Sequence, residues 1–354
     1  MADELRRVTV GIDTHADIHV VRAKDDLGRR LGELQIPTTP AGYRLLLAWA
    51  KHFGDVRGFG IEGTGSWGAG LARYLRSKGE VVLEVSRPNR QHRRRRGKSD
   101  PTDADAAASA VLAGDALGTP KAQNGAVEAV RILRVARRGA VKAKTNCIRA
   151  MKALIVTAPS ELREQLRGMT RAKLVNTCAR FRLGDDPRDP LAATKAALRS
   201  LALRHQALDA EIKILDRQLG SLVAHIAPDL VARGGIKTAS AGALLVAAGD
   251  NPGRLRGDAA FAALCGSSPV EASSGKVRRH RLNRGGDRQA NAALYRIVVN
   301  RLSWEPRTID YMARRLAEGK SKREVIRCLK RYVAREVYGL LRSSIQQNST
   351  AAAA

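Results

Sequence analysis

"RVTVGIDTHADIHVVRAKDDLGRRLGELQI" (residues 7–36) contains the clearest strand signals of the N-terminal part of the chain. Its first part, residues 7–13, is a short run rich in β-branched side chains that ends on Asp13, which is typical of a strand. Two further apolar runs lie on either side of a turn signal around Asp25, Asp26 and Gly28. We therefore predict three consecutive strands over residues 7–36.

Alternating elements follow these strands. Their apolar spacing predicts a helix, a strand, a second helix and a further strand, over residues 39–53, 58–65, 67–79 and 80–86. The alanine-rich "PTDADAAASAVLAG" (101–114) predicts another helix, because Pro101 suits a first turn and Gly114 suits a helix end. Three strands followed by alternating helices and strands favour a mixed sheet with helices on its faces. The ribonuclease-H-like fold has this order of elements.

The composition changes twice along the chain, which predicts three domains and a tail. Residues 1–118 form the α/β ribonuclease-H-like domain. Alanine, leucine and basic residues then dominate and strand signals disappear, which indicates a helical coiled-coil region over residues 119–228. Residues 229–343 form a mostly α-helical C-terminal domain. The polar and alanine-rich end of the sequence predicts a disordered tail over residues 344–354.

A heptad repeat supports the coiled coil. Apolar side chains recur every seven positions from Leu198 to Ile226, with one polar break at His205, and a second series runs from Leu201 to Leu222. A repeat sustained over four heptads is a good signal for a coiled-coil seam. The seam joins two chains in the first interpretation, and packs against a helix of residues 120–160 in the same chain in the second.

The chain is strongly basic, with 63 Lys and Arg against 34 Asp and Glu and a formal net charge of +29. Such an excess destabilises a compact fold unless a polyanion balances it, and basic side chains gain free energy by releasing counterions from nucleic acid. A membrane is the rival partner, but the sequence has neither a spanning apolar stretch nor a signal-peptide core. The four cysteines lie far apart without zinc-ligand spacing. We therefore predict a cytoplasmic nucleic-acid-binding protein without a membrane segment.

Four acidic residues are placed where one crevice of such a fold would collect them. Asp13 and Glu62 end strands that are neighbours in a ribonuclease-H-like sheet, and Asp100 and Asp103 share one face at the start of a helix. Four carboxylates there would hold two Mg²⁺ ions for phosphoryl transfer. Singly, each acid also suits a turn or an N-cap, and Asp105 is expected to be a solvated helix residue rather than a ligand. The residues alone leave both interpretations open.

A basic run lies immediately before the last two acids. It comprises Arg93, Arg94, Arg95 and Arg96, with Lys98 two residues further on. A run of like charges usually forms a solvated face, but the net charge and the neighbouring acids favour contact with phosphates. We expect little base specificity from such contacts.

Several motifs together resemble the DEDD transposases of the insertion-sequence one-ten (IS110) family. In the first half these are "GIDTHAD", "IEGTGSW" and "KSDPTDADA", and in the second half "FAALCGSSP", "SSGK" and "RLNRGGDRQANAALY". The resemblance covers roughly residues 7–115 and 230–342. It implies a RuvC-like N-terminal domain and a C-terminal transposase domain that contains a nucleophilic serine.

The resemblance also implies roles for individual residues. Asp13, Glu62, Asp100 and Asp103 would be the catalytic metal ligands, and Ser274 in "SSGK" would be the nucleophile, with Ser273 as the adjacent alternative. Serine requires activation by a base or a metal to attack. The basic residues that follow would hold the phosphate and stabilise developing charge, namely Lys276, Arg278, Arg279, Arg281 and Arg284. From the residues alone, a Ser-Gly step is more often a structural turn.

The family resemblance implies a site-specific recombinase that moves its own insertion sequence. Serine would attack a DNA phosphodiester and form a covalent serine–DNA link, in a homo-oligomer (dimer or tetramer) guided by a noncoding RNA from the element. It would act on the nucleoid of a bacterium. Two rivals are a RuvC-like nuclease or junction resolvase without a covalent step, and a nucleic-acid-binding protein without enzymatic activity.

Overall fold

The computed structural model describes residues 6–85, 100–115, 118–184, 186, 188–276 and 280–351. They divide into two compact units, Met1–Gly125 with Ala248–Gly257, and Ala126–Ala247 with Asp258–Ala354. Several residues predicted to bind nucleic acid lie outside the described residues: Arg93, Arg94, Arg95, Arg96, Lys98, Arg278 and Arg279.

The first unit is built on the predicted mixed sheet. Its strands are β1 (Arg7–Thr14), β2 (Ile18–Asp25), β3 (Arg30–Pro37), β4 (Asp55–Glu62) and β5 (Val82–Val85). They lie in the order β3-β2-β1-β4-β5. The β1–β2 and β2–β3 pairs are antiparallel, whereas β4 pairs in parallel with both β1 and β5. This order is consistent with a ribonuclease-H-like domain, as the sequence predicts.

Helices cover both faces of this sheet: α1 (Pro40–His52), α2 (Ala69–Ser77) and α3 (Asp100–Leu112). Successive side chains of a strand point to opposite faces. Val10 and Ile12 of β1 therefore share a buried apolar cluster with Leu46 of α1 and Leu71 of α2. The position between them, Gly11, faces α3 instead.

The alanine-rich helix α3 lies unusually close to the sheet. A Cβ atom on Gly11 would lie only 2.1 Å from the backbone oxygen of Ala104, so α3 rests directly on the β1 backbone. On β4, a Cβ on Gly60 would lie 2.9 Å from the backbone oxygen of Ala107. Small residues on both elements permit this approach, and Ala104, Ala107 and Ala108 are buried in the contact. The start of α3 is thereby held beside the ends of the two strands.

Two long helices form the framework of the second unit, α4 (Ala126–Val156) and α7 (Pro190–Ile226). Between them lie α5 (Ser160–Leu166) and α6 (Arg171–Ala179), which the sequence interpretation missed. Ion pairs Arg137–Asp216 and Lys144–Asp209 show that α4 and α7 run antiparallel within one chain.

This pairing bears directly on the predicted heptad seam. Leu198, Ile212, Leu219 and Ile226 of its first series are buried within the chain, which agrees with the second interpretation of that series. The second series is only half-buried, namely Leu201, Leu208, Leu215 and Leu222. Association between chains therefore stays a prediction that rests on this second series.

The C-terminal part of the second unit is mostly helical, as predicted. It comprises α8 (Pro228–Ala232), α9 (Thr238–Ala248), α10 (Asp258–Leu264), α11 (Arg288–Arg301), α12 (Pro306–Ala317) and α13 (Lys322–Ala351). Between α10 and α11, the strands β6 (Val270–Glu271) and β7 (His280–Arg281) pair where the sequence predicted only a polar loop. None of the helices in the described ranges is both long and apolar enough to cross a membrane.

The predicted disordered tail differs from the structure. Helix α13 continues to Ala351, so most of residues 344–354 is helical, and residues 352–354 lie outside the described residues. The sequence after Gly339 contains neither glycine nor proline, so nothing in it forces the helix to end. Composition alone suggested disorder because the segment is polar and rich in small residues.

Candidate active site

Two of the predicted acids end adjacent strands on one face of the sheet. Strands β1 and β4 are paired in parallel up to Ile12 and Ile61, and Asp13 and Glu62 are the next residues of each strand. Side-chain alternation places Asp13 on the face of Gly11, which is the face that α3 covers. The hydroxyl of Thr14 donates to the backbone oxygen of Glu62 over 2.8 Å and ties the two strand ends together.

Helix α3 supplies the other two acids. Asp100 and Asp103 lie in its first turn, three residues apart, and therefore point to the same side of the helix. Asp103 is buried, as is Asp13. Burial raises the pKa of Asp13, His15 lowers it, and the negative charges of Asp103 and Asp100 raise it again, so that the net shift is upward. Asp100 and Asp103 thus both act electrostatically on Asp13.

His15 is a member of this cluster that the sequence interpretation missed. Its Nε2 lies 3.2 Å from a carboxylate oxygen of Asp13 and 3.4 Å from one of Asp100. A signal was present in the motif "GIDTH", because residues two apart in an extended segment point to the same side. The imidazole therefore bridges the strand end and the start of α3.

Asp105 has a different role from its neighbours in sequence. It is buried on another side of α3, where its carboxylate accepts from Lys24 Nζ at 2.9 Å and from Arg30 Nε at 3.0 Å. Burial alone would raise the pKa of Asp105, but Lys24 and Arg30 outweigh it and the pKa is lowered. Asp105 therefore forms ion pairs that hold α3 against β2 and β3. The sequence had suggested a solvated side chain at this position.

The donor set of the cluster fits a hard divalent cation. One ligand atom each from Asp13, His15 and Asp100 lie within 4.8 Å of one another. A cation beside Asp13 would offset the burial and the neighbouring negative charges that raise the pKa of this residue, and carboxylate oxygens are the ligands that Mg²⁺ prefers. The cluster is therefore a candidate metal centre, which brings together two of the four predicted acids, Asp13 and Asp100, with His15. Glu62 and Asp103 are not part of this three-residue group, and their role as ligands stays a prediction.

The predicted serine lies in the second unit, on the connection between β6 and β7. Ser273 and Ser274 are both exposed, and Gly275 follows with a φ of +56°, a conformation that favours glycine. The neighbouring Lys276, Arg281 and Arg284 are exposed as well. Upstream, the hydroxyl of Ser267 donates to the backbone oxygen of Ala262 at the end of α10, so Ser267 has a structural role. The loop presents a hydroxyl next to basic side chains.

Models of two transposase families match the chain. One, described as a DEDD transposase of the IS110 type, matches residues 10–158, and the other, described as a transposase of the IS116/IS110/IS902 family, matches residues 232–313. Together the two segments cover well over half of the chain. The protein belongs to the IS110 family of transposases. No individual curated protein matches the chain.

Membership in the IS110 family makes this chain a DNA-cutting and rejoining enzyme of an insertion sequence. The first matched segment contains all four predicted acids, and the second contains Ser274. A DEDD transposase family also suggests a need for a divalent metal, for which the acidic cluster is the candidate. These matches favour the transposase over both rivals considered from the sequence.

Proposed function

We propose that this IS110-family transposase cuts DNA with the acids Asp13, Glu62, Asp100 and Asp103 and carries the cut strand on Ser274. The proximity of Asp13 and Asp100, whose carboxylate oxygens lie 3.2 and 3.4 Å from His15 Nε2, supports the acidic half of the proposal. The exposed serine within the second family match supports the other half. The two halves belong to different units of the chain.

The acidic residues would hold Mg²⁺, most simply as a pair of ions. When bound, Mg²⁺ supplies positive charge that neutralises the phosphate and stabilises the oxygen that leaves. The protein holds the carboxylates in place through the close packing of α3 on Gly11 and through the ion pair of Asp105. His15 keeps Asp13 and Asp100 oriented toward each other through its Nε2.

The serine step transfers a DNA strand to the protein and back. The Ser274 Oγ forms a bond to the phosphorus as the bond from phosphorus to a deoxyribose oxygen breaks, and the serine proton goes to that departing oxygen. A DNA hydroxyl later displaces the serine by the reverse exchange, so no external energy source is needed. Lys276, Arg281 and Arg284 contact the phosphate oxygens and stabilise the charge of the five-coordinate state.

The partners follow from the charge and from the family. The net charge of +29 favours nucleic acid, and DNA is the substrate of a transposase. We extend this to a noncoding guide RNA encoded by the element, which pairs with donor and target DNA, and to action in the bacterial cytoplasm on the nucleoid. The basic residues Arg93–Arg96 and Lys98 would track phosphates beside the acids.

A covalent adduct tests the proposal most directly. The protein is incubated with DNA that carries the ends of its element and a target, with the element's RNA, in Mg²⁺ or in a chelator. After denaturation, a fraction of labelled DNA should migrate with the protein in Mg²⁺, and none should do so in the chelator. Cleaved DNA without any protein-linked product would instead support the nuclease rival.

Association of chains is expected to depend on the half-buried second heptad series. Introducing carboxylates there, with Leu208→Asp and Leu215→Asp together, should reduce the oligomer to a smaller species, because charges in a helix seam remain unpaired and are costly to bury. Mass is measured by light scattering at several protein concentrations. Leu203→Asp, at an exposed position of the same helix outside the seam, is the control. An unchanged mass of the double variant would mean that the seam packs within one chain.

A further inference from the structure

A cavity of about 810 Å³ in the second unit shares only Arg281 with the residues to which the proposed function gives a role. It lies between residues 266–269 and 280–283, helix α12 and the first half of α13. Its volume is within the range of ~300–1,000 Å³ that small ligands occupy in proteins. The C-terminal basic residues that stand out in the sequence converge on it.

The lining of the cavity is strongly positive. Seven of its side chains are Lys or Arg and one is a carboxylate, Glu324. Six of the basic ones are Arg281, Lys320, Arg327, Lys330, Arg331 and Arg335. Outside the lining, Asp258 is shared by Arg331 at 3.0 Å and Arg335 at 3.1 Å, and Glu318 pairs with Arg315. Three carboxylates, including Glu324, thus face seven basic side chains. The basic charge of this surface is far from neutralised within the described residues.

Lys330 is a buried basic side chain of the lining without a counter-ion among the described residues. Its side chain is buried and donates to the amide oxygen of Asn291 at 2.6 Å, and among the described residues it forms no ion pair. Burial lowers its pKa, and the charge of Arg327 lowers it further. Two guanidinium nitrogens of the lining, Nε of Arg315 and an Nη of Arg331, are buried without an acceptor in the described part of the chain. An anion would supply what these groups lack.

Aromatic rings are interleaved with these charges. Tyr332 of α13 is 53% exposed although it lines the cavity, and its ring meets that of Tyr311 edge-on, with centroids 5.6 Å apart. Arg314 and Arg315 lie over the Tyr311 ring, at 5.5 and 5.9 Å from its centroid. Tyr311 thus supports the Tyr332 ring from one side, while the surface of that ring remains open to a ligand.

We propose that this cavity binds an unpaired nucleotide of a nucleic-acid strand, with its phosphate among Arg327, Lys330 and Arg331 and its base against Tyr332. Basic side chains that follow a backbone, combined with aromatic rings on which bases stack, characterise sites for single strands. A base within a duplex has both faces covered by its neighbours and cannot stack on Tyr332. The site does not depend on the covalent step at Ser274, and a strand of DNA or of RNA would satisfy it equally.

Binding of single strands to the full chain tests the inference. Labelled single-stranded DNA, single-stranded RNA of the same sequence and a DNA duplex are titrated with protein in a chelator, and fluorescence anisotropy is recorded. Tyr332→Ala should weaken binding of a single strand by roughly 5- to 150-fold, the effect of losing one stacked base, and should change duplex binding less than about twofold. Tyr332→Phe should retain the affinity because the ring is kept. Tyr295→Ala, an exposed tyrosine on α11 outside the cavity, is the matched control.

The salt dependence of binding tests the phosphate contact separately. Arg327→Gln should flatten the slope of log affinity against log salt by about 0.7 for single strands, the value for one lost phosphate contact. Arg323→Gln, one turn earlier on α13 and outside the lining, should leave the slope unchanged. If Tyr332→Ala weakens the affinity for single-stranded RNA more than that for single-stranded DNA, the occupant is a guide RNA strand. If it weakens the affinity for single-stranded DNA more, the occupant is a DNA strand.

Two outcomes would overturn the inference. In one, Tyr332→Ala binds single strands like the parent protein; in the other, it loses duplex and single-strand affinity to the same extent. Because these titrations contain no metal and require no cleavage, they succeed or fail independently of the function proposed for Ser274. In thermal melting, Tyr332→Ala should unfold at nearly the same temperature as the parent protein, because an exposed side chain contributes little to stability.

Discussion

Asp13→Asn and Asp103→Asn are expected to abolish strand cleavage and to leave the affinity for DNA nearly unchanged. An amide is a poor ligand for Mg²⁺, and loss of several kcal/mol of charge stabilisation slows the chemical step by about 10³-fold or more. Binding of DNA rests on the basic surface, which these substitutions do not touch. Cleavage is measured with end-labelled DNA in Mg²⁺, and affinity is measured in a chelator.

The stability of these variants provides a second readout. Asp13 has a raised pKa because it is buried beside Asp103 and Asp100, so an amide of the same shape relieves repulsion in the absence of metal. The Tm of Asp13→Asn should therefore be at least as high as that of the parent protein. In the absence of Mg²⁺, the Tm of the variant should be higher than that of the parent protein. Normal cleavage by either variant in Mg²⁺ would show that the four-acid site is wrong.

Asp105→Asn is the matched control for this experiment. We expect it to lower stability and to retain cleavage, whereas Asp13→Asn should retain stability and lose cleavage. Asp105 is paired with Lys24 and Arg30 inside the first unit, and its substitution should lower the free energy of unfolding by about 1–3 kcal/mol. Because its pKa is lowered in the folded state, its contribution to stability is present above the unfolded pKa of about 3.9 and is lost as the pH falls below it. Asp105→Asn should slow cleavage far less than Asp13→Asn does, because Asp105 pairs with Lys24 and Arg30 on another side of α3 and affects the acidic cluster only through the position of the helix.

The first unit could be predicted well because its signals are local. The strands around Asp13 and Glu62 show up in runs of β-branched residues, and the helix of residues 101–114 in its proline and glycine boundaries. The order of these elements sufficed to place Asp13 and Asp100 near each other. His15 was missed because its role depends on a distance of 3.4 Å to Asp100, a residue on a different element.

The features that escaped prediction depend on contacts between distant segments. The sequence cannot show that Asp105 meets Lys24 and Arg30 about 80 residues away, so it was expected to be solvated. The first heptad series, from Leu198 to Ile226, packs within the chain, where α7 lies against α4. An apolar repeat does not by itself reveal which helix it packs against. Likewise, Tyr311 and Tyr332 line one cavity only because α12 and α13 fold back on each other.

Ser274→Ala is expected to remove the covalent protein–DNA adduct and recombination together. The alanine variant has no oxygen to bond to phosphorus at that position, whereas the acids of the other unit are unchanged. Ser274 is exposed in a polar connection, so its loss should change the free energy of unfolding by less than about 0.5 kcal/mol. Metal binding and nucleic-acid affinity should survive, which separates a lost nucleophile from a lost fold. The adduct is followed by electrophoresis after denaturation, and recombination by amplification of the new junction.

Two further variants decide whether the nucleophile has been placed at the right residue. Ser273→Ala should still form the adduct; if it fails while Ser274→Ala succeeds, the covalent mechanism holds and the residue shifts by one. Ser274→Cys should retain slow attack, because a thiolate is a strong nucleophile, and should favour a softer metal than Mg²⁺, because sulfur binds Mg²⁺ poorly. An adduct that persists in both alanine variants would place the nucleophile outside this connection altogether. Recombination without any adduct would instead return the chemistry to the acids alone, with a free hydroxyl as the attacking group.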